Sequence, residues 1–189
     1  MASTARHPNV AYNGALTVDR GALVLVDALA HPDFPSGWGA ILAGDVSPPA
    51  LLAELQSRPG WSRVDYRGVV SPTAARDLLR ECRVGIVLSQ RRDSYLESLP
   101  TKMFEFFAAG LPVVASDFPA WRPIVLHPDK GTLVDESSPA AVARAVSAYA
   151  HNEVTLNEQS RNASVAAVTQ LNWASEEQLL LALYARVLG

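Results

Sequence analysis

Short apolar runs along the chain alternate with stretches in which apolar residues recur every three or four positions. The first run, Val10-Ala11-Tyr12-Asn13, is stopped by Gly14. A helix is expected from about Gly21 to Leu29, ended by His31-Pro32. The second run is Ala40-Ile41-Leu42-Ala43, followed by the helical spacing of Leu51, Leu52 and Leu55. The third is Val64-Asp65-Tyr66-Arg67, closed by Gly68. Ser71-Pro72 then reads as an N-cap with proline at the first helical position, leading to Leu78 and Leu79. Val84-Gly85-Ile86-Val87-Leu88 is apolar nearly throughout, as a strand buried on both faces should be.

The second half keeps the rhythm. A helix over about Thr101 to Ala109 ends at Gly110, and strands are expected at Pro112–Ala115 and Gly131–Val134. Ser138-Pro139 opens a helix with Val142, Val146 and Tyr149 on one face. Two closing helices are expected, over about Val154–Thr169 and Ser175–Val187, the last carrying Leu180, Leu183, Tyr184 and Val187 as one stripe. Strands alternating with helices predict an α/β domain with a doubly wound parallel sheet of about six strands. In such a sheet, ligands bind at the carboxyl ends of the strands.

Composition narrows this picture. The 189 residues suffice for one domain, and the net charge of −3 argues against a general nucleic-acid binder. The lone Cys82 excludes an internal disulfide framework and reads as a small core residue. No apolar run reaches the length of a membrane span, and the N-terminus lacks the apolar segment of a secretory signal, so a cytoplasmic setting is expected. The four histidines share no metal spacing, and no metal site is expected. His31 and His127 are expected at the surface, and Trp121 and Trp173 are read as packing anchors.

The chemistry concentrates between Glu97 and Ser116. The helix opening near Thr101 follows the fourth strand, so its N-terminus offers free N–H groups and a positive dipole end, which suits phosphate. Lys102 and Glu105 lie three apart on that helix. A lysine there can neutralise phosphate, and a carboxylate one turn on can accept hydrogen bonds from a vicinal diol such as a ribose. The same spacing also fits an ordinary surface Lys–Glu pair. Only two of the sixteen Lys plus Arg residues are lysines, which singles out this one.

Pro100-Thr-Lys102-Met-Phe-Glu105-Phe-Phe-Ala108-Ala-Gly110-Leu-Pro112-Val-Val resembles the signature of the donor-binding half of retaining GT-B glycosyltransferases, glycosyltransferase family 4. The family's two-glutamate motif is matched by Glu97 and Glu105. The resemblance implies that Glu105 binds ribose hydroxyls of a nucleotide sugar and that Glu97 contacts the transferred sugar. Glu97 reads equally as a plain loop acid. Gly14-Ala-Leu-Thr-Val-Asp-Arg20-Gly21 resembles the family's loop after the first strand, with Arg20 in place of the lysine that grips the diphosphate. Ala15 stands where the family has arginine, a departure that removes one cationic contact. Tyr66-Arg-Gly-Val69-Val70 resembles the loop that reads the nucleobase. Substrate-binding residues are thus expected to be Glu105, Lys102, Arg20, Gly14, Thr101 and Val69. No cofactor is expected beyond the nucleoside-diphosphate sugar itself.

A complete GT-B enzyme has two such domains, so residues 1–189 correspond to one Rossmann-like half, with the acceptor-binding N-terminal half absent. The chain is then either an excised domain or a separate subunit that docks on a partner, with self-association a further expectation. The alternatives are a non-catalytic GT-B-like partner and half of a sugar-nucleotide epimerase.

Overall fold

The computed structural model describes residues 6–188. Six strands, β1 (Asn9–Asn13), β2 (Gly39–Ala43), β3 (Val64–Gly68), β4 (Val84–Val87), β5 (Val113–Ser116) and β6 (Gly131–Val134), form one sheet in the order β3-β2-β1-β4-β5-β6. All neighbouring pairs are parallel. The expected doubly wound α/β sheet is therefore present. The order reverses between β1 and β4, which opens a crevice at their carboxyl ends.

Burial explains the strand sequences. β4 and β5 are buried at every position, matching their unbroken apolar runs. β3 lies at the sheet edge and alternates instead, with Val64 and Tyr66 half-buried and Asp65 and Arg67 exposed. On β1, Val10 and Tyr12 join one apolar layer while Ala11 joins the other.

The first layer is completed by α1 (Ala22–Ala30), α2 (Ala50–Ser57) and α7 (Pro139–His151). The second is completed by α3 (Pro72–Glu81), α5 (Thr101–Ala108), α6 (Arg122–Leu126) and α8 (Glu153–Thr169). The helix starts follow the capping signals: Ser71 Oγ accepts from Ala74 N, Ser138 Oγ from Ala141 N and Asn152 Oδ1 from Thr155 N. Cys82, the C-cap residue of α3, is fully buried, and burial pushes its thiol up to about 12. Lys130 is also buried, its Nζ donating to the carbonyls of His127 and Pro128 at 3.0 and 2.8 Å.

Two expectations change. Trp121 is a packing anchor, 1% exposed, with Nε1 donating to Ser98 O at 2.7 Å. Trp173 is not: it opens α9 (Trp173–Leu188) and is 69% exposed. Among the described residues of α9 none is buried. His127 is exposed as expected, whereas His31 is half-buried at the end of α1.

Candidate functional site

The site is assembled at the β1–β4 crevice from the loop after β1, the loop after β4 and the start of α5. The loop after β1 begins at Gly14, which has φ 110° and donates its N–H to Ala43 O at 2.8 Å. A Cβ on the neighbouring Gly44 would collide with the Gly14 carbonyl, so these two glycines let the ends of β1 and β2 close on one another. A one-turn 3-10 helix over Val18–Arg20 follows, capped by Thr17 and ended by Gly21 at φ 72°. A Cβ at Gly21 would lie 2.5 Å from Leu88 Cβ, so only glycine lets this loop rest on the end of β4. Gln90 N donates to Asp19 O at 2.7 Å, and Arg92 pairs with Asp19 at 2.5 Å, which fastens the two loops together.

Tyr12 supports this loop from below. Its ring is fully buried, and its hydroxyl donates toward the carbonyls of Ala15 and Arg20 at 2.9 and 3.2 Å. Lys102, the second residue of α5, lies with Nζ 3.9 Å from the centroid of the same ring. Desolvation, reinforced by the nearby Arg20 guanidinium, lowers its ammonium from 10.5 to about 7, with Glu105 acting in the opposite sense. Among the described residues neither Lys102 nor Arg20 forms an ion pair. The N-terminus of α5 carries no side-chain cap, and Thr101 is exposed there. The Arg20 guanidinium, the Lys102 amine and an uncapped helix end thus meet at one place, and among the described residues no carboxylate pairs with either side chain.

Glu105 stands one turn further along α5, exposed at the cleft. Its Oε2 accepts from Asn13 Nδ2 at 3.0 Å. Asn13 and Glu105 both line a cleft of about 730 Å³ between α3 and α5, walled by Val70, Pro72, Ala75 and Leu79. Val69 is 77% exposed at the mouth of the loop after β3. A hollow of about 260 Å³ lies between the loops after β1, β2 and β3, lined by Gly14, Ala15, Gly44, Asp45 and Val69.

The structure therefore brings Gly14, Arg20, Thr101, Lys102 and Glu105 to one crevice. It separates Lys102 from Glu105 in role: the first turns inward onto Tyr12, the second outward to Asn13. Glu97 is exposed on the turn after α4 (Asp93–Leu96), a short helix not anticipated from the sequence. Tyr12 and Asn13 were also missed. Tyr12 reads as an ordinary strand residue, but a polar Asn13 immediately before a glycine at a strand end was an available signal. Among the described residues no group of three or more His, Cys, Asp or Glu could hold a metal ion, and no helix is long and apolar enough to cross a membrane.

Residues 7–152 match the family described as Glycosyl transferases group 1. The chain belongs to that family. A phosphatidyl-myo-inositol mannosyltransferase from Mycobacterium leprae is 35% identical over 91 residues, which take in 48% of this chain and 24% of that glycosyl transferase. The crystal structure of Anabaena Alr3699/HepE in complex with UDP and glucose superposes with a TM-score of 0.80 at 21% identity, covering 96% of this chain and 49% of that one. The C-terminal domain of a glycosyl transferase group 1 family protein (LpcC) from Francisella tularensis gives a TM-score of 0.71 at 16% identity, covering 88% and 87%. The chain thus spans about half the length of the Anabaena protein and matches a C-terminal domain nearly whole. Its Rossmann-like fold is one half of a GT-B architecture.

Proposed function

We propose that this glycosyl transferase chain is the nucleotide-sugar donor-binding half of a retaining enzyme of the hexosyltransferase type. Transfer would pass a glycosyl group to an acceptor and release a nucleoside diphosphate. The observation that carries this reading is the convergence of Lys102 and Arg20, without a counter-ion, at the uncapped start of α5. Such a site is electrostatically incomplete, and a diphosphate completes it. Glu105, one turn away, is positioned to accept from ribose hydroxyls. The Anabaena structure supports the reading by holding UDP in a related fold. On the developing charge of the leaving diphosphate, Lys102, Arg20 and the α5 N–H groups would act as fixed donors.

Titration of the chain with uridine and guanosine diphosphates tests this directly. Binding is expected in the micromolar to millimolar range and unchanged by a chelator, because cationic side chains meet the phosphates. Binding that needs magnesium or manganese, and vanishes on chelation, overturns the electrostatic assignment. No binding of either nucleotide favours the rival reading, a non-catalytic partner, which draws on Ala15 standing where the resemblance leads one to expect a cationic phosphate contact.

The active site would lie between this half and an acceptor-binding half. Residues 1–189 by themselves are expected to show no sugar transfer, because they would form one wall of such a site, and positioning of the acceptor and exclusion of water need both. The exposed α9 fits the same reading. Leu180, Leu183, Tyr184 and Val187, the stripe expected from the sequence, are each 40% or more exposed on one helix, an apolar surface that calls for a partner. Sedimentation of the isolated chain should show self-association at high concentration. Leu180→Glu combined with Leu183→Glu should abolish it and leave nucleotide binding intact. A wild type that stays monomeric throughout counts against a missing partner on this face.

A further inference from the structure

The Asn13–Glu105 hydrogen bond joins residues 92 positions apart and is formed inside the candidate cleft. Its polarity is fixed by chemistry, since an ionised carboxylate only accepts and the amide nitrogen must therefore face it. The two partners differ in stiffness. Asn13 has a short side chain and is the last residue of β1, paired in register with Ala43 on β2. The next N–H, of Gly14, is held by Ala43 O. Glu105 has a longer side chain, is exposed, and makes no other side-chain hydrogen bond among the described residues. Left to itself, its carboxylate would sample several rotamers, and a ligand would have to order it on binding.

We infer that Asn13 is the positioning residue of ribose recognition: its amide holds Glu105 in the orientation that accepts two vicinal hydroxyls, so that the cleft selects ribo- over 2′-deoxyribonucleotides. This rests on the donor-binding reading of the site. The lone-pair arithmetic permits it. A carboxylate offers about four acceptor positions, and Asn13 occupies one, leaving enough for both hydroxyls of a ribose. The amide acts from a central strand that also carries the phosphate-facing loop. Ribose and diphosphate are thereby referred to one rigid element, β1, although Glu105 and Lys102 both reside on α5.

The test is a double-mutant cycle on the full chain, read by calorimetry with uridine and guanosine diphosphates and their 2′-deoxy counterparts. Wild type should prefer the ribonucleotide. Asn13→Ala should weaken ribonucleotide binding by roughly 3- to 10-fold, leave the deoxynucleotide nearly unaffected, and lower the preference accordingly. Asn13→Asp, nearly isosteric, should be worse than Asn13→Ala because it sets a carboxylate against a carboxylate. In the Glu105→Ala background, Asn13→Ala should cost nothing further. A staple that only stabilises the fold would lower the melting temperature and leave the preference unchanged. If Asn13→Ala keeps the wild-type preference, or adds its full effect on top of Glu105→Ala, the inference is overturned while the reading of the site stands. If wild type binds none of these nucleotides, the reading of the site falls and the inference with it.

Discussion

Affinity for a nucleoside diphosphate is expected to drop by up to about tenfold for each pH unit between pH 7 and pH 9. In the free protein the Lys102 ammonium is lowered to about 7 by desolvation and by Arg20. A bound diphosphate places negative charge beside it and restores its pKa toward the ordinary value. The complex then holds a proton that the free protein has already lost above pH 7. Raising the pH therefore penalises binding, and the penalty grows until the pKa of the bound form is reached. Lys102→Met should be weak at pH 7 and flat across the range. Calorimetry at three pH values, in buffers of different ionisation heat, reports the proton uptake itself. A wild type whose affinity and proton count do not change between pH 7 and pH 9 would show that Lys102 does not face the phosphates.

Glu105→Ala should weaken binding of a ribonucleoside diphosphate by roughly ten- to a hundred-fold, equivalent to about 1.5–3 kcal/mol for hydrogen bonds to a charged group. The fold should survive, because the side chain is exposed and its one partner, Asn13, can turn to water. Glu105→Gln should cost less, since its amide oxygen still accepts. Unchanged affinity in Glu105→Ala, with normal melting, would return this residue to the status of a surface carboxylate.

The parts of the fold legible in the sequence are those where burial imposes a period. β4 and β5 read as strands because both faces are covered, and α7 because Val142, Val146 and Tyr149 share its buried face. The 3-10 turns at Val18–Arg20 and Pro59–Arg63, and the short α4 and α6, span five residues or fewer, too few to set up a period. Trp173 departs from the expected packing anchor because a large aromatic ring is ordinarily buried, whereas it opens α9, a helix with no buried residue among those described. In the site, Lys102 and Glu105 were legible from their three-residue spacing. That one turns onto Tyr12 and the other meets Asn13 was not, since both contacts arise from strand order, which sets β1 beside β4. Local spacing carries no record of that adjacency.

The chain has only two lysines, and the fold leaves neither as a freely exposed surface amine. Lys130 is 1% exposed, its ammonium occupied by two carbonyls. Lys102 is half-buried against Tyr12, and with its pKa near 7 a sizeable fraction is uncharged at neutral pH. An acylating reagent offered to the folded protein at neutral pH therefore meets a surface whose other basic side chains are mostly arginines, and of the two lysines Lys102 is the one that is both reachable and nucleophilic. Occupancy of the crevice becomes legible as protection: the fraction of Lys102 left unlabelled reports ligand binding at a single residue, with no probe introduced into the protein.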